Sequence, residues 1–234
     1  MTKPRYAIYF APEPGSQLEE FGRNWLGRDH TGSAPETRFA VPGVTPSRLT
    51  TITEGPRHFG MHCTLKPPFA LRETATESGL LATAELVARG LAPIEIPELE
   101  LDIVGRFIAL TPTTSSVALE KLAAVCVRTF EAFRQPLTSE QEKRYQQSRL
   151  TVHQEQMLEH WGYPYVMEEF RFHITLTEPL ADDRECNEIL EALREHAGPI
   201  LGRAIPLREI CVFRETSFEE PMTIIARFPF GRTS

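Results

Sequence analysis

Positive charge is in short supply in this chain. Against 32 aspartates and glutamates stand 25 lysines and arginines, a formal net charge of −7. That balance excludes a general nucleic-acid binder, because neutralising a phosphate backbone takes a broad basic face. It leaves room for one small anionic ligand in a locally basic pocket. Long apolar runs are missing too: no stretch reaches the roughly 18 residues that a membrane span needs. Met1-Thr2-Lys3-Pro4-Arg5 leads into a short β-like run rather than an apolar signal core, so the expectation is a cytoplasmic protein that engages no membrane. Cysteine is sparse and scattered. Cys63, Cys126, Cys186 and Cys211 form no C-x-x-C pair, which argues against a zinc knuckle or a disulfide frame and for four reduced thiols. What remains is an ordinary globular composition, 41% apolar and 24% charged over 234 residues, enough to bury a sizeable core.

Tyr6-Ala7-Ile8-Tyr9-Phe10 reads as a first strand, ended by Ala11-Pro12-Glu13-Pro14-Gly15. A short helix is predicted from Ser16 to Leu26, with Ser16 as its cap and Glu19 three residues on. Gly27 to Gly60 is rich in Gly, Pro, Ser and Thr without a sustained period. It is expected to be a long irregular segment that is functional or forms a lid, with Trp25 and Asp29 in the turn at its start.

Two later segments are alike. Met61-His62-Cys63-Thr64-Leu65-Lys66-Pro67-Pro68-Phe69 and Phe172-His173-Ile174-Thr175-Leu176-Thr177-Glu178-Pro179-Leu180 both read apolar-His-x-Thr-Leu-x-x-Pro-apolar. Each is followed by a helical stretch (about Thr74–Arg89 and Asp182–His196), a glycine, a Pro-Ile pair and two β-like runs. Those runs are Ile94–Leu101 and Arg106–Thr111 in the first unit, Ile205–Phe213 and Met222–Phe228 in the second. A strand–helix–strand–strand unit used twice, at about 60–113 and 171–230, predicts one domain over 1–234 with two pseudo-symmetric lobes sharing a groove. Between the units a helix is predicted over Val117–Phe133 from its apolar spacing. Ser139 then opens a polar helix running to Trp161, stopped by Gly162-Tyr163-Pro164.

On a strand, residues i and i+2 share a face. His62 and Thr64 therefore point together, as do His173 and Thr175, while Cys63, Leu65, Ile174 and Leu176 turn inward. Two imidazoles and two hydroxyls converging on one cleft suit phosphodiester cleavage: a neutral histidine takes a proton from water and a protonated one gives a proton to the leaving oxygen. A single His on a strand is more often a hydrogen-bonded structural residue, but packing alone does not demand the same His and Thr twice. Lys66 and Arg171 flank the pairs as candidate transition-state cations. Pro67 puts a bend next to Lys66, so Arg171 carries more of that expectation. Tyr163 and Tyr165 either line the groove or fix the entry to the second His strand. Arg134 either reaches phosphate or caps a helix. Lys143-Arg144-Tyr145 either binds a second phosphate or forms a solvated basic helix face, and His58 either supports His62 or is an exposed loop residue. No metal site is expected, since His153 and His160 lie seven apart rather than at the helical ligand spacing of about four.

His-x-Thr-Leu twice in a chain of this size resembles the 2H phosphoesterase superfamily, and the branch it is most similar to is the phosphonate-metabolism-associated DUF1045 family, found with carbon–phosphorus lyase genes. The segments carrying the second likeness are Arg5–Phe10, Trp25-Leu26-Gly27-Arg28-Asp29, Gly60–Lys66, Phe133-Arg134-Gln135-Pro136-Leu137-Thr138, Gly162-Tyr163-Pro164-Tyr165-Val166 and Phe170–His173. Cys63 stands where the pattern suggests alanine. The resemblance implies an α+β fold, two antiparallel sheets facing a central cleft with helices outside. It also implies a metal- and cofactor-independent hydrolase of a small cyclic phosphodiester, such as a phosphoribosyl cyclic phosphate. The alternatives are opening of 2′,3′-cyclic or 2′,5′-linked RNA ends, and a non-catalytic phosphate-binding module.

Overall fold

The computed structural model describes residues 3–35, 38–147 and 149–231. The first strand, β1 (Arg5–Phe10), and helix α1 (Gln17–Leu26) fall where the sequence puts them. Ser16 accepts a hydrogen bond from the Glu19 backbone, and Glu19 reaches back to the Gly15 N–H, so the helix start is closed from both sides. Trp25 is fully buried in α1, its indole donating to the Leu176 carbonyl at 2.8 Å. It is a core residue rather than part of a lid.

The segment 27–60 is less irregular than its composition predicts. It holds two short helices, α2 (Pro46–Ile52) and α3 (Glu54–Phe59). Proline misleads here: Pro46 and Pro56 both sit in a first helical turn, where the missing N–H costs no hydrogen bond. The polar helix expected from Ser139 to Trp161 is likewise two, α6 (Ser139–Gln146) and α7 (Val152–Trp161). Each carries its own capping box, Thr138 with Gln141 and Thr151 with Gln154. The second box restarts the helix after the break.

The first repeat unit supplies β2 (Cys63–Ala70), α4 (Glu77–Arg89), β3 (Ile94–Ile96), β4 (Leu99–Val104) and β5 (Phe107–Pro112). Helix α5 (Val117–Phe130), extended by a 3₁₀ turn over Glu131–Phe133, leads out of it. The second unit supplies β6 (Ile174–Thr175), α8 (Asp183–Ala197), β7 (Ile205–Leu207), β8 (Glu209–Glu215) and β9 (Thr223–Pro229). Both long runs after the helices break in two, at Pro97-Glu98 and at Arg208.

Pairing then exchanges the units. One sheet runs β2-β1-β8-β9, joining the first His strand to the hairpin of the second unit; the other runs β4-β5-β6, joining the second His strand to the hairpin of the first. All pairs are antiparallel, and a short β3–β7 ribbon (Ile94 opposite Leu207) links the units where they cross. The helices follow their His strands: α4 packs on β8 and β9, α8 on β4 and β5. A continuous core from Tyr6, Ile8 and Phe10 through Leu80, Leu110 and Ile174 to Leu193 ties both sheets together. Burying that apolar surface is what holds the exchanged arrangement. Among the described residues no helix is long and apolar enough to cross a membrane, and all four cysteines are free and buried.

Candidate active site

The two histidines occupy equivalent lead-in positions: His62 immediately precedes β2 and His173 immediately precedes β6. Burial alternates as strand geometry demands. Cys63, Leu65, Ile174 and Leu176 are buried, while His62, Thr64, His173 and Thr175 keep part of their surface open. The segments touch each other, because the Cys63 thiol lies against the backbone N–H of His173 and Phe10 packs on Phe172 at 5.8 Å. His62 and His173 sit within electrostatic reach, so a positive charge on His173 disfavours one on His62.

The same contact fixes both rings. His62 Nδ1 lies 2.8 Å from the Gly60 carbonyl and His173 Nδ1 lies 2.8 Å from the Arg171 carbonyl, in each case two residues back. A carbonyl can only accept, so Nδ1 carries the hydrogen and Nε2 is left free. Each ring can then take a proton at Nε2 when neutral and give one from there when charged.

Surroundings separate the two. His62 stacks on Tyr9 at 4.1 Å and meets Phe59 at 5.7 Å. Burial pushes its imidazole down to about 3, helped by His30, His173 and Arg28, with the Gly60 carbonyl pulling the other way. The ring still keeps part of its surface open, so the direction decides: His62 is neutral near pH 7. Among the described residues the one aromatic ring near His173 is Phe107, tilted against it at 6.1 Å. Tyr9 stands directly opposite Thr64 on β1, its phenol against the threonine hydroxyl, and burial pushes the ionisation of that phenol far up. It keeps its proton near neutrality.

A cavity of about 380 Å³ brings together Thr64, His173, Arg171, Tyr163 and Tyr165. Arg171 reaches it from an exposed position, its guanidinium donating to the Glu168 and Phe170 carbonyls and forming no ion pair among the described residues. Tyr163 and Tyr165 meet edge to face at 5.5 Å on the cavity wall. Thr175 is held in β6 opposite Ala109 and does not line this cavity.

Lys66 and Arg134 are elsewhere. β2 carries two extra residues against β1, so Thr64 faces Tyr9 but Lys66 faces Ile8, which turns Lys66 onto the core side. It is fully buried with its ammonium 2.7 Å from Glu131, and Arg134 pairs with the same carboxylate at 2.6 Å. The prolines signalled a bend but not the side it would take. Arg134 lines a separate groove of about 470 Å³ with Lys3, Arg5 and Arg144. His58 is in the last turn of α3, bonded to Glu215. Tyr9, Arg28 and His30, all close to His62, were not singled out for the site. Strand alternation placed Tyr9 on the face of Ala7, but only pairing shows which residue it opposes.

The fold and site define a mixed helix and antiparallel-sheet protein with paired His-x-Thr segments brought side by side. Its family is plain from the sequence match. Residues 64–223, about two-thirds of the chain, fit the model described as a protein of unknown function, DUF1045, and the chain belongs to that family. It is also similar to two curated proteins named ribose 1,5-bisphosphate phosphokinase PhnN. One is from Janthinobacterium sp. (strain Marseille), 32% identical over 97% of this chain and 51% of the relative. The other is from Laribacter hongkongensis (strain HLHK9), 32% identical over 75% of this chain and 40% of the relative. The chain thus spans about half the length of the curated relatives it matches. Among solved structures it is similar to E. coli LigT complexed with 3′-AMP, with a TM-score of 0.48 at 13% identity over 99% of this chain and 100% of that one. A second likeness is to TT0787 of Thermus thermophilus, with a TM-score of 0.46 at 17% identity over 98% and 100%.

Proposed function

We propose that this chain is a phosphoesterase that opens a cyclic phosphodiester on a phosphorylated ribose, using His62 as base and His173 as acid. The observation carrying this reading is the repeated Nδ1–carbonyl contact, which leaves both Nε2 atoms free. His62 Nε2 takes a proton from water and the resulting hydroxide adds to phosphorus. The bond from phosphorus to one ring oxygen breaks, and His173 Nε2–H protonates that oxygen, leaving a phosphomonoester. Thr64 donates to a non-bridging oxygen, and Arg171 offsets the charge that grows there. His62 is assigned as the base because burial keeps it in the neutral, proton-accepting form at working pH.

The substrate class rests on the relatives. Their name attaches them to a ribose bisphosphate. A sugar kinase of the P-loop kind would use a G-x-x-x-x-G-K-S/T loop, which this chain does not contain. We therefore assign the phosphokinase activity to the part of those relatives that the chain does not span. The half shared with this chain would act on a chemically adjacent ribose phosphate ester, in phosphonate metabolism.

A panel of sugar and nucleotide cyclic phosphates, incubated with the chain and EDTA, tests the reading. Turnover of a ribose cyclic phosphate that persists with chelator and disappears in His62→Ala and His173→Ala supports it. Preference for a 2′,3′-cyclic nucleotide end would move the protein to RNA-end processing. Binding without turnover would make it a phosphate-ligand module, and inhibition by EDTA reversed by zinc or manganese would make it a metalloesterase.

A further inference from the structure

The turn after α1 holds an arginine and a histidine with unusual placement. Arg28 is 5% exposed and His30 4% exposed, although a buried guanidinium ordinarily faces a carboxylate. Among the described residues Arg28 makes no ion pair. Its neighbour Asp29 spends its carboxylate on Thr31 and Ser33. Arg28 instead donates to three backbone carbonyls: Arg57 at 2.6 Å, His58 at 3.3 Å and Met222 at 2.6 Å. His30 Nε2 donates to the Met61 carbonyl at 2.6 Å. Arg57 and His58 end α3, and Met61 adjoins His62. The residue between, Gly60, has φ 78°, and a Cβ there would stand 3.1 Å from the His30 ring and 3.2 Å from the Arg28 guanidinium. Only glycine fits this turn between the two side chains.

We propose that Arg28 and His30 are positioning residues for His62: they clamp the Arg57–Met61 backbone so that the Gly60 carbonyl meets Nδ1 and directs Nε2 to the substrate. A buried carbonyl left without a donor would swing to find one, and the His62 ring is tied to the carbonyl next in line. Burial is the main cause of the low His62 value, and Arg28 and His30 add to it by disfavouring a charge on that ring. The groups that act on that ring are His30 and Arg28 from the turn, His173 from the lead-in to β6, and Tyr9 stacked on it from β1. Two of these four belong to the clamp. Gly60 and the Arg28–His30 turn thus act together, within a stretch whose composition reads as a loop.

This role rests on the reading of His62 as the base. The test compares the full chain with His30→Ala, His30→Gln and Arg28→Lys. It reads kcat against KM, the pH profile of kcat/KM, and the His62 tautomer by nitrogen NMR without substrate. His30→Ala should lower kcat about 10- to 100-fold with KM changed less than about threefold, the signature of a misplaced base. The acid limb should rise in pH, and the single Nδ1–H tautomer should become a mixture. His30→Gln restores a donor to the Met61 carbonyl and should recover most of the loss. Arg28→Lys keeps the charge but cannot span three carbonyls, and should fall between. Folded His30→Ala and Arg28→Lys with unchanged kcat, acid limb and tautomer overturn the proposal. If His30→Ala does not fold, the tautomer in Arg28→Lys decides. Because the tautomer is read without substrate, a chain that opens no ester still tests the clamp.

Discussion

The two His-x-Thr segments share a signature and an Nδ1–carbonyl contact, yet the protein builds very different walls around them. The first leads into an eight-residue strand paired along β1, with His62 stacked on Tyr9 and its backbone clamped by buried side chains. The second leads into a strand of only two residues, and His173 faces a cavity beside Arg171. The repeated contact leaves Nε2 free on both rings, while burial lowers the His62 value. On the proposed mechanism, this difference in surroundings is what would divide the two rings between base and acid.

The largest expected effect tests whether the two are one unit. His62→Ala and His173→Ala should each lower kcat/KM on the order of 10³-fold or more, and the double variant should cost little beyond either single one. Near-full activity in one single variant would end the two-histidine mechanism. Next comes the buried ion pair on the first His strand. Glu131→Gln leaves the Lys66 ammonium without its carboxylate, and urea unfolding should report a loss of about 3 kcal/mol. Lys66→Met should be far milder, and neither should change kcat/KM of the folded protein by more than about twofold. A large activity loss in stable Lys66→Met would return Lys66 to the substrate.

Acid should find the same asymmetry. Burial pushes His30 down to about 4 and His62 to about 3, below the ordinary value near 6.5. Between those limits the unfolded chain binds protons that the folded one refuses, so stability falls as pH drops below about 6.5. His30 alone is worth roughly 3 kcal/mol by about pH 4. Unfolding midpoints measured from pH 7 to pH 4 check this. His30→Gln should flatten the slope; an unchanged slope would show that His30 is solvated.

Much of this was legible beforehand, for identifiable reasons. Ser16 with Glu19, the alternation around His62 and His173, and the order of elements in both units are local patterns, and local patterns survive folding. What escaped depends on pairing across the chain. Nothing in the run from His62 to Phe69 shows that β2 accommodates two extra residues against β1 and so turns Lys66 inward. Each unit predicts its own strands and helix, but not that its hairpin will pair with the other unit's His strand. Arg28 and His30 escaped for a third reason: a residue that binds backbone carbonyls leaves no partner type to recognise in the sequence.

The smaller effects divide the two sides further. Arg171→Ala should lower kcat/KM about tenfold, with Arg171→Lys restoring part of it, as expected for one charge near the transition state. Tyr9→Phe should do least. Its phenol meets the Thr64 hydroxyl, while its ring stacks on His62, and the substitution removes only the first contact. One neutral hydrogen bond is worth about 1 kcal/mol, so kcat/KM should fall roughly three- to tenfold, with the acid limb of the pH profile in place. Tyr9→Leu removes the stack as well, opens His62 to water and should move that limb upward. If Tyr9→Phe alone shifts the limb, the phenol is setting the charge on His62. If Tyr9→Leu leaves the limb unmoved, desolvation by Tyr9 is not what separates the two histidines, and the clamp at Arg28 and His30 must do so alone.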